Sequence, residues 1–194
     1  ILEVSNHIKA LCKDFNIKQL ESGSWLTFDE LNNTTKFDIR DFKDSYAVAG
    51  VDLSSTTDLT CAVLVIIKDN KKYVIPQFFM PQDVLEKRMQ EDNVPYDIWV
   101  KRGLITLSEG SQNDFTKVTE WFQHMVWDYG IRPLWVGYDP WNSKYWIDEM
   151  NDAGFTMEKV RQGVFTLSEP MKQLEADLKN HIVIYDNNPV LKWC

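Results

Sequence analysis

The runs YAVAGVDLS (46–54), TCAVLVIIK (60–68) and KYVIPQFFM (72–80) decide the fold class. Each is rich in β-branched and aromatic residues, and short polar breaks such as KDNK (68–71) separate them. They read as three consecutive strands of an antiparallel meander. Downstream the pattern alternates. PQDVLEKRMQED (81–92) and PYDIWVKRG (95–103) have helical texture, and GLITLS (103–108) is a short strand. Phe115, Val118, Phe122, Met125, Val126 and Tyr129 form one stripe, so Asn113–Tyr129 is an amphipathic helix that Gly130 ends. LWVGYDP (134–140) is an apolar strand, followed by a helix over 142–154 and a short strand over 155–160. Ser168 is expected to cap a helix with Met171, Leu174 and Leu178 facing inward, and HIVIY (181–185) is a final strand. A meander followed by alternating helices and strands predicts an α/β fold, with helices on both faces of a mixed central sheet.

Upstream of the meander, Val4, Ile8, Leu11 and Phe15 recur at near-helical spacing over the first 20 residues. From Glu21 to Ser45 the period is lost in polar, turn-rich sequence. Residues 1–45 therefore read as a linker or strap, and the folded unit as residues 46–194.

Composition narrows the function classes. The 194 residues are 44% apolar, which excludes global disorder. No run approaches the ~18–20 apolar residues of a membrane span, and no signal-peptide pattern opens the chain, so no membrane partner and a cytoplasmic setting are expected. Cys12, Cys61 and Cys194 are scattered, with no CxxC, which argues against a zinc site or a disulfide framework. The net charge of −8 argues against a high-affinity nucleic-acid binder by bulk charge alone. It leaves room for an enzyme whose carboxylates hold divalent cations, because the metal reverses the local sign. No phosphate loop of the GxxxxGK[ST] type is present.

The chemistry lies in two repeats of one pattern, Gly50-Val51-Asp52 and Gly137-Tyr138-Asp139. Each aspartate closes an apolar strand, where an ionised carboxylate is costly unless paired or metal-bound. Side chains alternate along a strand, so each acid shares its face with a glycine two residues earlier. The expectation is that this leaves room for a hydrated cation or a phosphate. On neighbouring strands the two acids would suit Mg²⁺ or Mn²⁺, which take oxygen ligands. The blander reading of each acid alone is an Asp that caps a helix or forms a turn. Asp58 is a weaker candidate, as a supporting acid or a turn former. Lys144, in the first turn after DPWN, stands where it could meet a phosphate or be merely solvated. His124, among Glu120, Trp121 and Asp128, reads as a solvated helix residue, and His7 and His181 have no evident catalytic partner. Trp141 and Trp146 flank the Asp139 turn, as groove or as core.

GVDLSST is also similar to the first phosphate loop of the actin, Hsp70 and sugar-kinase superfamily, but Ser54 stands where that loop has Gly. A broader resemblance competes with it. GVDLSSTTDLT (50–60), YDPWN (138–142), VRQGVFTLSEPMKQLEADLKN (160–180) and NPVLKW (188–193), in this order, resemble the nuclease half of the large terminase subunit of tailed bacteriophages. FNIKQLESGSWLTFDE (15–30) is similar to the segment joining that family's ATPase and nuclease domains. The resemblance implies a ribonuclease-H-like fold and a two-metal DNA endonuclease that uses Mg²⁺ or Mn²⁺ to cut genome concatemers during packaging. By position it makes Asp52 and Asp139 the catalytic, metal-holding pair and Asp58 an auxiliary acid. It implies double-stranded DNA, the ATPase domain, a small terminase subunit and the portal protein as partners, in the host bacterial cytoplasm. The family's third carboxylate would lie beyond Cys194, so the chain is expected to be a fragment lacking that acid. Asp186 precedes the matching region and is not favoured as a substitute. A non-catalytic docking module of the packaging motor remains the alternative.

Overall fold

The computed structural model describes residues 26–56, 58–140 and 144–194. The expected N-terminal helix, Cys12, His7 and Trp141 lie outside the described residues. Among those described, seven strands form one sheet: β1 (Tyr46–Asp52), β2 (Thr60–Lys68), β3 (Lys71–Pro81), β4 (Ile105–Ser108), β5 (Arg132–Tyr138), β6 (Met157–Lys159) and β7 (Val183–Ile184). The order is β4-β3-β2-β1-β5-β6, with β7 also beside β3. The meander β1-β2-β3 is antiparallel, as expected, while β5 runs parallel to β1 and β6 parallel to β5. The β2–β3 hairpin closes through Asp69 and Asn70, both at positive φ (51° and 57°). That left-handed pair matches the twist of the flanking strands, and Asp and Asn tolerate it best after glycine.

Helices cover both faces. On one, α4 (Thr116–Trp127) and α5 (Lys144–Asp152) bury Val118, Phe122, Met125, Trp146 and Met150 against Ala47, Ala49, Val51, Ala62, Leu64 and Ile66. Trp146 is thus core. Burial along β1 alternates with the pleat, with Ala47, Ala49 and Val51 inward. Gly130 ends α4 at φ 67°, where its N–H donates to the Val126 carbonyl at 3.1 Å. A side chain there would press on the Asp44 backbone nitrogen, 3.1 Å from an added Cβ.

On the other face, α2 (Leu85–Asp92), α3 (Tyr96–Lys101) and α7 (Pro189–Trp193) border a second core of Phe78, Met80, Val94, Tyr96, Trp99, Ile105 and Val190. Among the described residues, no helix is long and apolar enough to cross a membrane.

Two local expectations are corrected. The penultimate helix, α6, spans Val164–Lys179, so Ser168 and Pro170 lie inside it and Gly163 occupies the cap position. Pro170, the seventh residue of α6, has no N–H and so removes one helical hydrogen bond. Leu178 is buried as expected, but Met171 and Leu174 are exposed, because α6 is anchored mainly at its C-terminal end. There the buried Asp177 pairs with Lys72 of β3 and accepts from Gln173 Nε2 at 2.8 Å. Residues 26–45 also pack on the sheet. Phe42 enters the main core, Leu26 packs with Leu178, Val183 and Tyr185, and Asn33 Nδ2 donates to the Val183 carbonyl at 2.8 Å. The short helix α1 (Phe28–Leu31) is closed by a reciprocal Thr27–Glu30 capping box.

Candidate functional site

Strands β1, β5 and β6 are mutually parallel, so their C-terminal ends share one sheet edge. Asp52 is the last residue of β1, and Asp139 follows the last residue of β5. The register is Gly50↔Gly137 and Val51↔Tyr138, so the two acids leave neighbouring strands at the same level. The sequence supplies a Gly-x-Asp end to each strand, and the parallel pairing aligns the two ends.

Electrostatics tie the acids together. Partial burial is the first cause holding the Asp52 carboxyl above its ordinary range, followed by the charge of Asp139 and then that of Asp58. Asp52 is nevertheless open to solvent at the strand end. Asp139 and Asp58 each lie within electrostatic reach of Asp52. Across β2, Asp52 is the register partner of Cys61, whose thiol burial pushes up to about 12. That thiol stays protonated, which leaves carboxylates as the anionic donors here.

The glycines behave differently from expectation. A Cβ on Gly137 would come within 3.0 Å of Val160 Cγ2, so the room beside it is filled by protein. On Gly50 a Cβ would make only an ordinary contact, 3.6 Å from Val63 Cγ1. Gly137 serves close packing against the segment after β6, and only Gly50 keeps space next to a carboxylate.

Asp58 sits in the loop joining β1 to β2, exposed, with its N–H donating to Ser54 Oγ at 3.1 Å. Lys144 is exposed as the first residue of α5. Lys159, which the sequence reading did not single out, is the register partner of Tyr138, one residue before Asp139. His124 is exposed and paired with Asp128. Asp186 pairs with Lys36, outside this edge.

The donor set fits a hard divalent cation: oxygen-only carboxylates brought to the ends of neighbouring strands, with Asp52 raised in proton affinity by its burial and by its acidic neighbours. Among the described residues, no group of three or more His, Cys, Asp or Glu side chains is close enough to form a complete cation cage. Asp52 and Asp139 would be the protein ligands, with Asp58 outside them.

The comparisons agree with this architecture. The family model described as "Terminase large subunit, endonuclease domain" matches residues 2–194. The "Terminase, large subunit" of Enterobacteria phage HK97 is 30% identical over 149 residues, covering 75% of this chain and 29% of that protein. "Protein YmfN" of Escherichia coli (strain K12) is 22% identical over 182 residues, covering 88% of this chain and 38% of that protein. The crystal structure of the HK97 bacteriophage large terminase superposes with a TM-score of 0.73 at 22% identity, over 97% of this chain and 40% of that one. The chain thus spans about a third of the length of the relatives it matches, and its mixed sheet is ribonuclease-H-like. The family match runs along nearly the whole length, and the chain belongs to the terminase large-subunit endonuclease-domain family.

Proposed function

We propose that the chain is the metal-dependent DNA endonuclease unit of a terminase large subunit, cutting concatemeric double-stranded DNA during genome packaging in the host bacterial cytoplasm. The observation that carries this reading is the parallel β1–β5 register, which aligns Asp52 and Asp139 at one sheet edge. When bound there, divalent cations, Mg²⁺ or Mn²⁺, supply an activated water and charge stabilisation at the leaving oxygen. The chain's own part is to hold and orient them. Asp52 and Asp139 provide the anionic oxygens, and Asp58 adds negative potential from the adjoining loop. Lys144 and Lys159 place positive charge near the Asp139 end for the phosphate backbone.

Residues 1–45 would connect this unit to an ATPase domain, with a small terminase subunit and a portal protein as further partners. Tethering of that kind supplies the substrate concentration that a domain of net charge −8 does not supply by itself.

The test is plasmid cleavage by a large subunit carrying this chain, in EDTA, Mg²⁺ and Mn²⁺, with wild type, Asp52→Asn and Asp139→Asn. Metal-dependent cleavage lost in both folded variants is the expected result. Cleavage by the variants at wild-type rate would overturn the assignment, and absence of cleavage by wild type in either metal would favour the docking-module alternative.

A further inference from the structure

We infer that Asn113 is a positioning residue for the acidic edge, an inference that rests on the metal-site reading above. Asn113 lies in the connection between β4 and α4, yet it reaches the loop that follows Asp52 and carries Asp58. Its backbone N–H donates to the Ser55 carbonyl at 2.9 Å. Its side-chain amide donates to the Ser54 carbonyl at 2.7 Å and to Thr60 Oγ1 at 3.3 Å. Two consecutive carbonyls of the acid-bearing loop are thus gripped by one residue, which fixes both its position and its orientation.

The rest of the clamp is built from hydroxyls. Ser54 N–H donates to Thr60 Oγ1 at 2.9 Å, and Thr60 Oγ1 returns a bond to the Ser54 carbonyl at 3.0 Å. Thr60 is fully buried at the start of β2, so it is a fixed post. Asn113 is itself anchored through its neighbour Asp114. Asp114 N–H donates to Oγ of the fully buried Ser108 at 3.0 Å, and Thr116 N–H donates to Asp114 Oδ1 at 3.0 Å as α4 begins. The clamp therefore links Asp52 to β2, β4 and α4, two residues downstream of its carboxylate.

The amide orientation follows from its partners. The Ser54 carbonyl can only accept, so the NH₂ must face it. Asn113 Oδ1 is then buried with no hydrogen-bond partner among the described residues. An orphaned buried acceptor is destabilising. Replacing Asn113 removes that cost together with the donors it accompanies, so the net change in stability is small. What changes is the placement of Ser54 and Ser55, and with them the acids on either side. Outer residues that orient ligands act on metal affinity in this way.

The experiment measures Mn²⁺ binding to this chain by calorimetry, alongside thermal melting in EDTA, for wild type, Asp52→Asn, Asn113→Ala and Asn113→Leu. Leucine keeps the side-chain volume without a donor, so it reports if the alanine variant fails to fold. The expected result is Mn²⁺ binding by wild type, abolished in Asp52→Asn and weakened roughly tenfold in a folded Asn113 variant. Wild-type affinity in both folded Asn113 variants would overturn the positioning role while leaving the metal site intact. So would a lowered melting temperature with unchanged affinity. Equal Mn²⁺ binding, or none, by wild type and Asp52→Asn would overturn the metal-site reading itself, and this inference with it.

Discussion

Gly50 and Gly137 are register partners across the parallel pair β1–β5, and each stands two residues before an aspartate. This one relationship converts two separate Gly-x-Asp strings, 87 positions apart by their numbering, into a single acidic edge. Asp52 is partly desolvated and is repelled by Asp139 and Asp58, so its charge opposes folding.

The first prediction follows from that sign. A carboxyl whose pKa is raised by folding contributes most below its unfolded value of about 4 and loses that contribution as pH rises through the folded value. At pH 7 in EDTA, Asp52→Asn should therefore melt slightly higher than wild type, and the difference should shrink toward pH 4. With Mn²⁺ the order should invert, since only wild type gains from binding. Melting curves at both pH values, with and without metal, check this. A lower melting temperature for the variant in EDTA at pH 7 would contradict it.

Asp177 behaves oppositely. Its bond with Lys72 is the first cause holding its carboxyl below the usual range, against the opposing effect of burial and with help from Gln173. The pair's stabilisation is present above the ordinary aspartate value and disappears as pH falls through the depressed one. Asp177→Ala should cost about 2 kcal/mol at pH 7, below the full value of a buried pair because Lys72 remains partly solvated. Urea unfolding at pH 7 and pH 2.5 tests it: the gap between variant and wild type should narrow in acid.

Phe122 is fully buried where α4 meets the sheet. Phe122→Ala leaves a cavity between two rigid layers and should lose about 3–5 kcal/mol, read from urea unfolding. A loss under 1 kcal/mol would mean that α4 packs less closely than described.

Lys144 offers an exposed cation at the start of α5, five residues after Asp139. In a large subunit carrying this chain, Lys144→Ala should weaken DNA binding about equally across sequences and lower the salt slope by about one. An unchanged slope, by filter binding over a range of salt, would remove Lys144 from the DNA path.

Local structure was legible where a local cause fixes it. The β-rich runs 46–52 and 60–68 marked β1 and β2, and the polar break around Asp69-Asn70 marked the turn between β2 and β3. The stripe through Val118, Phe122 and Met125 marked α4, and Gly130 its end. The start of α6 was misplaced because Ser168-Glu-Pro carries a strong local capping signal. The chain is already helical from Val164, where the signal is weak. Inward placement of Met171 and Leu174 failed for a related reason: spacing identifies a stripe, and only packing decides whether anything covers it.

By itself, then, the sequence determined the meander, the alternating helices and strands and the two Gly-x-Asp strand ends, because each depends on periodicity or turn chemistry within a few residues. Tertiary structure decided the rest. The parallel register aligned Asp52 with Asp139, Val160 took the space beside Gly137, and Asn113 reached across 59 positions to grip Ser54. These are contacts between segments remote in the chain. Their geometry is set by how the sheet twists and which faces its helices bury, and no local spacing encodes that.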